Sequence, residues 1–203
     1  MKKTARLNEA WDAAVDFIRS GDIDGLKKVL DENDEELVNW GHDEYAGCTL
    51  LRASTELVRE SFMSVLLDRG ADVNVEGSDG GTALMIASLQ GHPSCISLLL
   101  DRGADVNAKT NNGATALMLA SLHGHPSCIS MLLDRGADVD AIANDGVTTA
   151  SSLATDREII RMLARARAAK NRNGNSNGNG NNGRGENGRR GTNPVLDDDT
   201  IDW

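Results

Sequence analysis

Near the middle of the chain, apolar residues return with helical spacing, and then the whole pattern returns. ALMIASLQ is a short apolar run, and SCISLLLDR after it sets Ile96, Leu99 and Leu100 at i, i+3 and i+4, one face of a helix. Thr82 stands where a hydroxyl would accept from orphan amides of the first turn. Gly91 and His92 predict a turn, and Pro93 opens the second helix where no amide donor is needed. Gly103 supplies a left-handed residue to end it, and ADVNA reads as extended chain entering an Asn/Gly/Asp turn. Residues 75–107 and 108–140 agree at 23 of 33 positions. A fixed period of this length predicts a solenoid of stacked helix pairs.

The period runs beyond the copied stretch. Gly47, Gly80, Gly113 and Gly146 are 33 apart, as are Thr49, Thr82, Thr115 and Thr148, and Gly70, Gly103 and Gly136. The motifs Thr-Ala-Leu-Met-x-Ala, Gly-His and Leu-Leu-x-x-Gly-Ala-Asp-Val-Asn, in this order and at this period, resemble the ankyrin repeat. The resemblance covers about residues 5–168 and implies an all-α solenoid of about five helix-turn-helix repeats with short hairpin-like fingers, followed by a disordered tail. The boundaries it suggests are 1–42 for an N-terminal capping repeat with an acidic loop, 43–75, 76–108 and 109–141 for full repeats, 142–168 for a C-terminal cap and 169–203 for the tail. Ala83, Met85, Ala116 and Met118 depart from the family's Thr-Pro-Leu-His, and Arg52 takes the His place in the first full repeat. The hydrogen bonds of that His are lost here.

The terminal segments read as caps, because the end units of a stack need a polar outer side. LNEAWDAAVDFIRSGDIDGLKKVLDE predicts two helices joined at residues 20–25, and REIIRMLARARA predicts a last helix with a basic free face. Beyond it, NRNGNSNGNGNNGRGENGRRGTNP contains no apolar residue larger than proline and reads as a flexible linker.

Composition narrows the function classes. Hydrophobic residues make up 39% and aromatics 3% of 203 residues, thin for a single globular core but suited to small aliphatics packed between repeats. Net charge is -10, so the folded part is a poor partner for nucleic acid, which is gripped by basic patches. No apolar run reaches the ~18 residues of a membrane helix, and the N-terminus has no signal-peptide core. Of three cysteines, Cys95 and Cys128 repeat the same position and read as small buried apolar residues. The odd count favours a reducing compartment, and a cytoplasmic monomer is expected, the nucleus not excluded.

Candidate contact residues come from two sources. The two copies differ at only ten positions. Glu76/Lys109, Ser78/Asn111, Asp79/Asn112 and Gln90/His123 fall, by the family resemblance, on finger tips and the open side of the first helix, the family's usual contact surface; Asn144 and Asp145 continue it. The second source is the segment 31–47, with seven acids, no Lys or Arg, and Trp40, His42 and Tyr45. Trp and Tyr are enriched in interface hot spots. Trp40, His42, Asp43, Glu44 and Tyr45 are therefore candidates, and a basic partner surface is the natural complement.

No Ser/His/Asp order, carboxylate pair or phosphate loop has a supporting context. His92, His123 and His125 offer pairs at best, short of the three or four ligands a metal needs. A non-catalytic protein-protein interaction module without cofactor is the expectation. The alternatives are RNA association through the tail, where GRG and GRRG resemble RGG segments, or a non-catalytic subunit of an enzyme complex. The end of the chain, VLDDDTIDW, resembles in layout the tails of bacterial single-stranded-DNA-binding proteins. It makes Asp197, Asp198, Asp199, Ile201 and Trp203 a candidate docking peptide, or one that folds back on the basic last helix.

Overall fold

Successive helices pair, and each pair packs on the next. The computed structural model describes residues 2–42, 45 and 47–175. The pairs are α1 (Lys2–Ser20) with α2 (Ile23–Val38), α3 (Leu50–Glu56) with α4 (Glu60–Asp68), α5 (Ala83–Gln90) with α6 (Pro93–Asp101), α7 (Ala116–Leu122) with α8 (Pro126–Asp134), and α9 (Ala150–Leu153) with α10 (Arg157–Asn175). First helices form one row, α1–α3–α5–α7–α9, and second helices form another, α2–α4–α6–α8–α10. Among the described residues there is no strand, only an isolated bridge between His42 and Cys48. The architecture is an all-α stack of ankyrin type in two layers, as the period predicts.

The core is the seam between the two rows. Leu84, Ile96 and Leu99 and their counterparts Leu117, Ile129 and Leu132 are each at most 1% exposed. Cys95 and Cys128 lie in the same cluster. Burial pushes the Cys95 thiol up to about 11, helped by the nearby Glu60 carboxylate, and pushes Cys128 up as well. A second cluster joins Leu7, Trp11, Ile18, Leu26 and Leu37 to Leu50 and Leu66, and ties the first pair to the second.

Caps and turns follow the repeat except at Thr82 and at α9, where the cap is Thr149 and not the periodic Thr148. The side chains of Thr49 and Thr115 accept from the amides of Arg52 and Met118 at 3.4 and 3.3 Å, and Thr149 forms a capping box with Ser152. Thr82 occupies the same N-cap position, but its hydroxyl makes no cap bond and is buried with no partner among the described residues. Gly91 closes α5 in the left-handed region at φ 76°, and Gly124 does the same at φ 73°. Thirty-three residues before Gly91 stands Val58, which holds φ 54°, a conformation costly for a β-branched residue.

Polar side chains lock the units together at the same period. Asn74 donates to the Gly103 carbonyl at 3.3 Å and accepts from the Asp105 amide at 2.8 Å. Asn107 repeats this with Gly136 and Asp138 at 3.2 and 2.8 Å, and Asn39 anticipates it with Gly70 and Asp72 at 3.2 and 2.7 Å. The second helices add ion pairs, Arg69–Asp31 at 2.8 Å, Arg102–Asp68 at 3.0 Å and Arg135–Asp101 at 2.8 Å. Where the next asparagine would stand, the chain has Asp140. Its carboxylate takes Arg167 at 2.6 Å and Lys170 at 3.0 Å from α10, and Lys170 also reaches Asp138 at 2.6 Å.

Two expectations shift. The acidic run from residue 31 is not a loop at its start: α2 continues to Val38, with Leu37 and Val38 buried and Asp31 and Glu36 paired to Arg69 and Lys3. Apolar residues at helical spacing carry the helix on to Val38, and α3 begins at Leu50. At the other end α10 runs to Asn175, past the boundary drawn at 168. Of residues 169–175 only Ala169, Lys170 and Arg172 are strong helix formers, and α10 is held there by the clamp of Lys170 on Asp138 and Asp140.

Candidate functional site

The first-helix row leaves a line of apolar side chains in solvent. Leu57, Leu89 and Leu122, at or next to the C-terminal ends of α3, α5 and α7, are 39%, 39% and 48% exposed. In the last loop before α9, Ile142 and Val147 are also exposed. The opposite, core-facing sides of these helices are buried; Leu89 and Leu122 are 33 residues apart, while Leu57 stands 32 before Leu89, at the place of Gln90 and His123. An apolar line rimmed by polar groups is the kind of surface that marks an interaction site.

At the N-terminal end this line opens into a cleft of about 520 Å³. Trp11, Asp12, Val15, Asp16 and Arg19 of α1 form one wall; Arg52, Ala53, Glu56 and Leu57 of α3 and the turn after it form the other; Tyr45 and Cys48 close one end. Packing of α1 against α3 sets the floor, and Tyr45, between α2 and α3 in the chain, lies at the cleft. Three rings cluster there. Trp11 and Tyr45 lie nearly parallel, centroids 5.2 Å apart at 22°, and His42 meets them at 4.8 and 4.7 Å. Trp11 and His42 are buried, while Tyr45 is 54% exposed. The buried His42 Nε2 lies 3.7 Å from a carboxylate oxygen of Asp12.

Charges in the cleft are unequally used. Asp16 pairs with Arg19 at 3.5 Å. Arg52 reaches Asp79 at 3.5 Å across the next loop, and its guanidinium lies where a Cβ on Gly77 would fall. Its Nε is buried without an acceptor among the described residues, as is Trp11 Nε1. The exposed Glu56 carboxylate has no ion-pair partner among the described residues. Burial raises the Cys48 thiol above its ordinary range, and Arg52 pulls it partly back.

The residues singled out in the sequence are dispersed by this geometry. Tyr45 is at the cleft, and His42 supports it from below. Trp40 is half-buried against the N-terminal core and donates its indole N–H to Asn8 at 2.9 Å. Several loop residues are exposed but already engaged with the neighbouring unit. Asn111 donates to the Ser78 carbonyl at 2.9 Å, Asn144 to the Asn111 carbonyl at 2.8 Å, and Lys109 to the Ile142 carbonyl at 3.2 Å. The Asn112 carbonyl accepts from the Asn144 amide at 3.0 Å. Asp79 and Asp145 accept from their own loops, at Gly81 and Val147. Gln90 donates to the Glu56 carbonyl at 3.4 Å. His123 stacks on His125, whose Nε2 lies 3.0 Å from the Leu89 carbonyl. Glu76 lies in the loop before α5. Asp43 and Glu44, and Asp197, Asp198, Asp199, Ile201 and Trp203, lie outside the described residues.

Sequence reading missed the exposed Leu57, Leu89 and Leu122, and the cleft residues Trp11, Asp12, Asp16, Arg52 and Glu56 as a group. The signal for Arg52 was present, as an arginine where the later units have methionine. Trp11 carried none, because a lone aromatic in an amphipathic helix reads as core. Among the described residues no three His, Cys, Asp or Glu side chains converge as metal ligands. No helix among them is long and apolar enough to cross a membrane.

Residues 50–145 match the family model of ankyrin repeats, in three copies. No curated protein gives a significant match to the chain.

Proposed function

The chain belongs to the ankyrin-repeat family through residues 50–145, and from that premise we propose that it is a non-catalytic module that holds another protein. Repeats of this family are protein-protein interaction modules, and a stack of small units offers a long surface in place of a deep central cavity. The observation that carries the reading is the row of exposed apolar side chains Leu57, Leu89 and Leu122 at the ends of the first helices. A partner laid along the first helices covers these side chains, and the loops beside them set its register. The inter-unit asparagines and ion pairs keep the surface rigid, so little ordering is lost on binding.

The reading includes a partner with a basic surface facing the N-terminal units and a chain without activity of its own. Leu89→Glu with Leu122→Glu tests it. Both positions are solvent-facing, so the double variant should fold with a melt close to that of the parent. Quantitative mass spectrometry of material retained by the immobilised full chain should then show a set of proteins that the variant no longer holds. Identical sets for the two forms would sink the proposal.

A further inference from the structure

The cleft between α1 and α3 combines an aromatic face with carboxylates that the fold leaves open. We propose that it is a receptor for one arginine side chain of the partner, an inference that rests on the protein-binding reading above and names the chemistry of its N-terminal end. A cleft of about 520 Å³ lies within the range of built ligand sites, and it has room for a long side chain with backbone on either side.

The aromatic part is pre-organised. Tyr45 is held by Trp11 on one side and His42 on another, with all three centroid separations between 4.7 and 5.2 Å, yet 54% of Tyr45 remains in solvent. An exposed ring whose orientation is fixed by two buried rings presents a π surface without loss of side-chain freedom on binding. Such a face attracts a cation within about 6 Å of its centroid, arginine more often than lysine, because the planar guanidinium also stacks.

The charges select the same guest. Both cations in the cleft are already used, Arg19 by Asp16 and Arg52 by Asp79. Glu56 is exposed and has no ion-pair partner among the described residues, and Asp12 is 58% exposed with His42 Nε2 3.7 Å from its carboxylate. The two carboxylates come from the two walls, α1 and α3, and the Tyr45 ring lines the same cleft. A guanidinium entering the cleft stacks on Tyr45 and donates to the unpaired Glu56 carboxylate. Fork geometry suits paired N–H donation to a carboxylate. An acidic guest meets these two carboxylates instead, and a neutral guest of the same shape gains only the stacking.

Two departures from the later units lie in or beside the cleft. Arg52 replaces the methionine of later units and turns its charge toward Asp79. Val58, in the turn just beyond Glu56 and Leu57, is held at φ 54°. Backbone strain of this kind persists where surrounding structure enforces it, and it clusters at binding sites.

The test is an NMR titration of the full-length chain with N-acetyl-arginine amide, and in parallel with N-acetyl-citrulline amide, its neutral isostere, and N-acetyl-aspartate amide. Arginine should shift the Trp11 indole and Tyr45 ring resonances saturably, with citrulline roughly fivefold weaker or worse and aspartate without effect. Glu56→Gln, at an exposed position that the core does not use, should weaken arginine several-fold and leave the melt unchanged; Tyr45→Phe should retain binding and Tyr45→Ala lose it. Equal shifts by arginine and citrulline, a preference for aspartate, or an unchanged response in Glu56→Gln overturns the proposal. The two readings fail separately. If Glu56→Gln and Tyr45→Ala keep every retained protein while Leu89→Glu with Leu122→Glu loses them, the apolar surface stands and the arginine receptor falls. If neither set of changes matters, the surface reading itself falls.

Discussion

The two central units and the N-terminal end are built on the same frame and spend their side chains differently. Across the central units asparagines bond the backbone of the next unit and arginines the aspartates of the one before, while Thr115, Ser88 and Ser121 bond within their own helices. The buried positions hold the same residues twice over. At the N-terminal end the frame is kept but the contents change. Met85 and Met118 give way to Arg52, Gly91 and Gly124 to Val58, and a lengthened loop brings His42 and Tyr45 against Trp11 of α1. These departures are scattered in the sequence and gather around one cleft in space. Repetition here marks residues that serve the stack, and departure marks residues that serve something outside it.

The comparison breaks most easily in the core. Leu99 and Leu132 are both 0% exposed and sit in equivalent seams. Leu99→Ala should cost ~2–5 kcal/mol in a urea melt, and Leu132→Ala about as much. Tyr45→Ala should cost far less, because half of that ring is already in water. If Leu99→Ala loses under ~1 kcal/mol, the central units are not the scaffold. If Tyr45→Ala loses as much as Leu99→Ala, the N-terminal end is core rather than a site.

Much of this contrast was legible in the residues, and the reason it stopped where it did is physical. The 33-residue period, the helix pairs, Pro93 at the start of α6 and Gly103 after its end follow from local rules, and the structure has them all. The acidic run from residue 31 read as loop because charge was weighed above spacing. Leu37 and Val38 continue the buried face of α2, and only contact with the core makes that visible. Asp140 passed as an unremarkable change from Asn107, since its partners Arg167 and Lys170 lie 27 and 30 residues away. The cleft was beyond reach for the same reason. Trp11, Tyr45 and Glu56 are far apart in sequence, and only the packing of α1 on α3 brings them together. The loop asparagines looked free to bind a partner; the structure shows several of them bonded to the next loop.

A smaller effect sharpens the contrast at one turn. Val58 holds a left-handed conformation that Gly91 and Gly124 adopt at φ 76° and 73°. The strain on a β-branched residue there is of order 1–3 kcal/mol, and glycine gives back roughly 0.5–1 kcal/mol in chain entropy. Val58→Gly should therefore raise stability by about 1 kcal/mol, read as an upward shift of the melt. The same change should loosen the end of α3 that carries Glu56 and weaken the arginine response. A variant that melts lower than the parent would show that Val58 contributes packing beyond its strain, and the turn would cease to count among the departures that serve the cleft.

The smallest effect lies at the far end, where the stack closes. Lys170 and Arg167 hold Asp140, and Lys170 also holds Asp138. Hydrogen bonds from Lys170 lower both carboxylates below their ordinary range, with Arg167 adding to the effect on Asp140, and the same bonds raise Lys170. A carboxyl whose folded value is depressed stabilises the fold above its unfolded value, near 4, and the contribution is lost as pH falls through that value and the lower folded one. All the partners are partly exposed, so solvent and salt screen the clamp and its share of stability is modest. Lys170→Met, which keeps an unbranched apolar stem, should lower the melt slightly at neutral pH and low salt. The gap should close as pH drops below about 4 or as salt is raised. The expected signature is local: faster amide exchange through α10 with no change around Trp11 and Tyr45. A gap that persists undiminished at low pH would mean that Lys170 acts through packing of its stem against α8. A change that spread to the cleft would mean that the two ends of the stack are coupled, and the separation between a generic scaffold and a specialised N-terminal end would no longer hold.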